Sequence, residues 1–260
     1  MQLNDKSALI TGAGSGIGAA IARAFAREGA KVCVADIDFE AAQRVVDELG
    51  LPPSSAVAVR IDVTSEGEVE RGVDAASQAL GGIDILVSNA GVQHLDAIAD
   101  VTFDNWRRII SIHLDGGFLM TRACLRHMRA QQRGGTVLLM GSVHAKEASL
   151  QKGPYVAAKH GLLGLCRVVA KEGADYGVRA NLICPGYVRT PLVESQIPVL
   201  ARERGITEEA VVREVMLGTT VDGEFTTVED IARVAVFLAA FPTNALTGQS
   251  VVVSHGWHMA

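Results

Sequence analysis

No stretch of this sequence reaches the roughly 18 consecutive apolar residues that span a bilayer, so no membrane-crossing segment is expected. Positive charge is also short: 24 Lys and Arg against 29 Asp and Glu leave a formal net charge of −5. That balance argues against binding to nucleic-acid phosphates. Met1-Gln2-Leu3-Asn4-Asp5 lacks the basic region and apolar run of a secretory signal. Cysteine is scarce, and Cys33, Cys124, Cys166 and Cys184 form no Cys-x-x-Cys pair. Reduced, buried thiols in a cytoplasmic protein are the expectation; a nucleophilic cysteine has no supporting motif. No His/Asp/Glu set has zinc-ligand spacing, so no catalytic metal is expected.

What is present is a rhythm. Short runs rich in Val, Ile and Leu occur at Ser7–Ile10, Lys31–Ala35, Ala56–Arg60, Asp84–Ser88, Thr136–Met140, Val178–Cys184 and Ser250–Ser254, and they read as buried parallel strands. Helical patterns lie between them at Ile17–Glu28, Phe39–Leu49, Glu66–Leu80, Phe103–Ala130, Tyr155–Asp175 and Val228–Ala240. The alternation predicts βαβ units in a Rossmann-like, doubly wound α/β fold of about seven parallel strands with helices on both faces. With 260 residues, 48% of them hydrophobic, and no linker or repeat, one domain over 1–260 is expected. From Pro191 to about Thr227 the rhythm breaks into two charged helical patterns, Val199–Arg204 and Glu208–Leu217, without a strand. An insertion at the carboxyl edge of such a sheet is a candidate substrate lid; a packed surface helix pair is the alternative.

The first strand runs into Thr11-Gly12-Ala13-Gly14-Ser15-Gly16-Ile17-Gly18 and then a helix. Glycines admit a pyrophosphate close to the backbone, and the helix N-terminus supplies free N–H groups and positive partial charge. The spacing Gly12-x-x-x-Gly16-x-Gly18 differs from the commoner GxGxxG. Asp36 follows the second strand, where a carboxylate can accept hydrogen bonds from adenosine ribose hydroxyls and repel a 2′-phosphate. The next residues are Ile37 and Asp38, with no cation beside them, so NAD is expected over NADP. Asp36 could alternatively cap the helix starting near Phe39.

Tyr155 and Lys159 are four residues apart in a helical pattern and share a face. A free phenol, with a pKa near 10, is a poor base at neutral pH, and a nearby ammonium or oxidised nicotinamide favours its phenolate. Ser142, at the end of the fifth strand, could hydrogen-bond the substrate oxygen and hold it against Tyr155.

This combination resembles the short-chain dehydrogenase/reductase family over essentially the whole chain. Asp62-Val63 after the third strand, Asn89-Ala90-Gly91 after the fourth and Pro185-Gly186-Tyr187-Val188-Arg189-Thr190 after the sixth match its pattern. The resemblance implies that Asp62 and Val63 lie along adenine and that Asn89, Ala90 and Gly91 support the central strand and ribose. Ser15, Ile17, Pro185 and Gly186 belong to the cofactor site, with Val188 and Thr190 at the nicotinamide carboxamide. Lys159 also binds the nicotinamide ribose, and Ser142, Tyr155 and Lys159 form the reactive group. A homotetramer is implied as well. Two departures stand out. His113 occupies the place of the family's relay Asn, and imidazole, which both donates and accepts, could pass a proton itself; a dead relay in a silent NAD-binding module is the alternative. The last strand ends Ser254-His255-Gly256-Trp257 where Asp-Gly-Gly is usual.

Gln93, His144, Lys152, Gln196 and Trp257 fall by family topology at the carboxyl edge of the sheet, around the nicotinamide. They combine one cation, several neutral hydrogen-bonding groups and one apolar wall, which suits a small anionic hydroxy or keto acid. Singly, each has an ordinary explanation: a loop lysine, a local hydrogen bonder, a packed aromatic. Together they resemble the family's bacterial 3-hydroxybutyrate dehydrogenases, implying reversible oxidation of (R)-3-hydroxybutyrate to acetoacetate. Another alcohol or ketone substrate, such as a 3-oxoacyl thioester, a sugar or a cyclic alcohol, remains the rival reading.

Overall fold

The computed structural model describes residues 1–259. Its seven strands are β1 (Ser7–Thr11), β2 (Lys31–Asp36), β3 (Ala56–Arg60), β4 (Ile85–Ser88), β5 (Gly135–Met140), β6 (Val178–Pro185) and β7 (Ser250–Val253). All pair in parallel in the order β3-β2-β1-β4-β5-β6-β7. The central strands β1, β5 and β6 are buried along almost their whole length because both sheet faces are covered. On one face α1 (Gly16–Arg27), α2 (Phe39–Leu49) and α10 (Val228–Ala240) bury Phe25, Val45 and Ile231 against Ile10 and Val34. On the other, α3 (Glu66–Leu80), α5 (Gly116–Gln131) and α6 (Gly153–Glu172) bury Val73, Met120 and Cys166 against Leu9 and Leu139. The winding reverses between β1 and β4, and in such sheets the crevice at that switch receives ligands.

Local chemistry sets the helix starts. Asp38, Ser65 and Thr102 accept from the backbone N–H of Ala41, Glu68 and Asn105 to cap α2, α3 and α4 (Phe103–Ile110), and Thr227 with Asp230 forms a capping box on α10. The helix expected over Phe103–Ala130 is not regular. Between α4 and α5 the backbone takes one π turn at Ser111–Asp115. An apolar periodicity near 3.6 cannot distinguish one wider turn, and such turns concentrate at functional sites. Segment 191–227 holds α7 (Pro191–Glu194), α8 (Ile197–Arg204), α9 (Glu208–Ala210) and a second π turn at Val211–Met216. Val193, Ile197, Leu200, Val211 and Met216 give it a small core of its own, which Leu95 and Tyr187 join.

Arg179 shows how a strand anchors a helix. It is buried in β6 with no carboxylate partner among the described residues, and it donates to Leu238 O (2.9 Å), Ala239 O (3.2 Å) and Thr136 Oγ1 (2.9 Å). A fixed positive charge thus satisfies the last carbonyls of α10, at the negative end of its dipole. Hydrogen bonds to a charged group contribute about 1.5–3 kcal/mol. Arg179→Ala is therefore expected to lower the unfolding free energy by about 3 kcal/mol in urea titration; a change below about 0.5 kcal/mol would contradict this role.

Candidate active site

The carboxyl ends of β1, β4, β5 and β6 open on a cleft of about 900 Å³. Gly12, Ser15, Gly16, Ile17, Asp36, Asp62, Val63, Asn89, Ala90 and Gly91 line one part of it. Ser142, Tyr155, Lys159, His113, Pro185, Gly186, Val188 and Thr190 line the other. The β1–α1 loop is shaped by what a side chain would meet. A Cβ at Gly12 would stand 2.8 Å from Ala90 Cα, and one at Gly18 would collide with Gly12 O. Gly16, at φ +53°, faces open space apart from Thr190 at 3.6 Å. The N-cap of α1, Ser15, makes no side-chain cap bond, and the first turn of α1 carries no acid. Uncapped N–H groups beside open glycine backbone fit the pyrophosphate of a dinucleotide.

Asp36 accepts from Gly14 N (2.9 Å) and Asp38 N (3.1 Å). It orders the loop but does not cap α2, a task that belongs to Asp38. Asp62 Oδ1 accepts from Thr64 N and Thr64 Oγ1. Asn89 donates through Nδ2 to Thr11 O (3.0 Å) and Gly12 O (3.1 Å), while Thr11 Oγ1 accepts from Asn89 N and Ala90 N.

Tyr155 and Lys159 come together on α6 as their spacing predicts, with Lys159 Nζ 5.3 Å from the Tyr155 ring centre. Lys159 is buried and donates to Met140 O at 2.6 Å. Burial pulls its pKa down to about 7. Within the protein, burial pushes the Tyr155 phenol up to about 12, and hydrogen bonding to Ser142 opposes this only in part. Removing either group from water disfavours its charged form.

His113 sits on the π turn, 5% exposed. Its ring meets that of Tyr155 edge-on at 5.1 Å. Nε2 faces both Val92 O (2.8 Å) and Val92 N (3.1 Å), and Nδ1 is buried without a partner. Burial first, then the Lys159 charge, lowers its pKa to about 3. The imidazole is thus a neutral prop for Val92, and its one free site is Nδ1. It fits because residue 91 is glycine: a Cβ there would collide with the ring.

Three of the five expected substrate residues, His144, Lys152 and Trp257, are linked through Tyr187 beside Tyr155. His144, 3% exposed, stands edge-on to Tyr155 (5.8 Å) and Trp257 (5.4 Å). Both its nitrogens are engaged, Nδ1 with Ser142 Oγ (3.1 Å) and Nε2 with Ser149 Oγ (2.8 Å). Burial lowers its pKa to about 3. Trp257 stacks on Tyr187 at 5.1 Å and 7°, and the Tyr187 hydroxyl accepts from Lys152 Nζ at 3.1 Å. Lys152 is 6% exposed and has no Asp or Glu within 4.0 Å among the described residues. Gln196 is buried too; Nε2 donates to Leu192 O and Oε1 has no partner. Gln93 is half-buried and accepts from His94 N through Oε1, with no hydrogen bond to the other four among the described residues. Sequence reasoning assigned no role to Tyr187 or Ser149; Tyr187 stands between the chosen Gly186 and Val188 and Ser149 three residues before Lys152, but only the fold turns their hydroxyls inward.

Fold and site together define an oxidoreductase built on a dinucleotide-binding sheet. Residues 12–258 match a family model described as enoyl-(acyl carrier protein) reductase. The chain is 42% identical to a D-beta-hydroxybutyrate dehydrogenase of Rhizobium meliloti, over 97% of this chain and 98% of that one. It is 39% identical to another of that name from Cupriavidus necator, over 98% of each. A short-chain type dehydrogenase/reductase from Mycobacterium marinum superposes with a TM-score of 0.89 at 32% identity, covering 99% of this chain and 97% of that one. The chain belongs to the short-chain dehydrogenase/reductase family.

Two buried, neutral histidines make the site acid-sensitive. Both titrate near 3 in the fold and near 6.5 when unfolded, so the unfolded chain binds more protons between these values and stability falls as pH drops through that window. Each contributes a slope of up to about 1.4 kcal/mol per pH unit. His113→Asn is expected to remove one such contribution from urea-unfolding free energies measured between pH 4 and 6; an unaltered slope would show that His113 is not buried neutral.

Proposed function

We propose that this protein catalyses NAD-dependent, reversible oxidation of (R)-3-hydroxybutyrate to acetoacetate. The observation that carries the reading is Lys152, a buried cation with no carboxylate partner among the described residues, linked through Tyr187, Trp257 and His144 to Ser142 and Tyr155. Buried charges are ordinarily paired, and a substrate carboxylate would complete this one. The names of the two relatives support the same substrate. Asp36, with no Lys or Arg following it, favours NAD over NADP.

In this proposal Ser15, the uncapped start of α1 and Gly12, Gly16 and Gly18 receive the pyrophosphate. Ile17, Asp62, Val63, Asn89, Ala90 and Gly91 flank the adenosine half, and Pro185, Gly186, Val188 and Thr190 flank the nicotinamide. When bound, oxidised NAD supplies the hydride acceptor and a positive charge beside the phenol. Tyr155 takes the hydroxyl proton at its phenolic oxygen, which must first be deprotonated against the pull of burial. Ser142 donates to the same substrate oxygen, oriented by the His144 imidazole. Lys159 holds its ammonium against Met140 O and the Tyr155 ring, lowering the cost of the phenolate. His113 keeps Val92 and the π turn in place and leaves Nδ1 free to join a proton relay. Lys152, Gln196 and Gln93 orient the carboxylate, and Trp257 walls the methyl end. Segment 191–227, packed on Tyr187, serves as the lid that excludes water.

The decisive assay is NADH formation over short hydroxy acids of both configurations. (R)-3-hydroxybutyrate is expected to lead the panel, with at least tenfold higher kcat/KM for NAD than for NADP. Lys152→Ala should raise the KM for hydroxybutyrate at least tenfold, consistent with about 1.5–3 kcal/mol for a charge-assisted bond. An unchanged KM, or a better neutral alcohol, would sink the substrate assignment. Tyr155→Phe removes the acid/base and is expected to lower kcat by at least 10³-fold, within the range for general acid–base catalysis, while the NADH dissociation constant stays within about twofold. Residual turnover above a tenth of wild type would place the acid/base elsewhere.

A further inference from the structure

We propose that Tyr187 is a second carboxylate-binding residue: its hydroxyl and the Lys152 ammonium form a two-donor receptor for one carboxylate. The inference rests on the anionic-substrate reading above and adds to it a group that the reading does not use. A phenol is both donor and acceptor. Tyr187 Oη accepts from Lys152 Nζ at 3.1 Å and has no other hydrogen-bond partner among the described residues, so its own proton is uncommitted. Lys152 carries three donors and spends one on Tyr187. The two groups stand side by side, a separation that lets the two oxygens of one carboxylate engage both. Lys152 Nζ also lies 4.8 Å from the Tyr187 ring centre, so ring and hydroxyl together fix the ammonium.

The surroundings make the hydroxyl's position specific. Its ring is clamped by the parallel stack on Trp257, and its backbone O accepts from Thr226 N (3.1 Å), at the far end of segment 191–227. The neighbouring candidates are already engaged: both His144 nitrogens face serines, and Gln196 Nε2 faces Leu192 O. Phenylalanine at 187 would keep the stack and remove only the donor. A carboxylate seated here would also touch a residue that anchors segment 191–227, so anion capture and the position of that segment share one side chain.

Calorimetric titration of the NADH-loaded enzyme with butyrate and with its neutral isostere butyramide tests this. Wild type is expected to prefer butyrate. Tyr187→Phe should weaken butyrate about tenfold and leave butyramide within twofold. In a Lys152→Met background, Tyr187→Phe should still weaken butyrate severalfold, which a Tyr187 that merely braces Lys152 would not do. In turnover, Tyr187→Phe should raise the KM for the hydroxy acid by a larger factor than it lowers kcat. Unchanged butyrate affinity, equal loss of both ligands, or no effect in the Lys152→Met background would each overturn the proposal. Failure of wild type to oxidise 3-hydroxybutyrate, with the butyrate preference and its Tyr187 dependence intact, would sink the proposed reaction and leave the receptor standing.

Discussion

Thr11 and Asn89 join the two central strands at the point where the sheet reverses its winding. Thr11 Oγ1 accepts from two successive backbone N–H groups after β4, and the Asn89 amide returns two hydrogen bonds to the carbonyls that end β1. At a switch point the adjacent connections leave toward opposite faces, so backbone groups there lose their ladder partners and need others. These bonds supply them and hold the glycine loop in register with the floor of the cleft. The loop's approach to Ala90, the open face of Gly16 and the uncapped start of α1 all follow from this tie.

On the far side of the cleft, the organising effect is burial of charge-bearing groups in neutral form. Lys159, Tyr155, His113 and His144 are each shifted toward their uncharged states by removal from water. A site in this condition carries little internal charge, so a charge arriving with ligand or developing in a reaction acts at low dielectric and therefore strongly. Lys152 is the contrast: a buried cation held by a phenol and an aromatic face where a carboxylate would normally stand. In the proposed reaction this asymmetry divides the site, with proton transfer where the groups are neutral and anion recognition where the unpaired cation lies.

His113 shows how a bulky ring is accommodated beside Tyr155. An imidazole is larger than an amide, and the space for it comes from Gly91 and from the widened π turn on which it sits. Its bond to Val92 O ties that turn to the loop after β4. The turn, the glycine and the histidine therefore act as one unit.

Much of this was legible in the amino-acid order because it depends on local rules. Apolar runs bounded by turns located all seven strands to within about one residue, since a strand buried on both faces has no other way to be written. The glycine loop, Asp36 and the Tyr155–Lys159 pair were legible because their function requires adjacency along the chain or at helical spacing. What needed the tertiary structure is whatever depends on distance between remote segments. The π turn hid inside a normal apolar period. The direction of the Tyr155 shift depended on burial, which no local pattern reports. The partnership of Lys152 with Tyr187, thirty-five residues apart, arises only because β6 carries Tyr187 past the start of α6 and the C-terminal turn lays Trp257 on it.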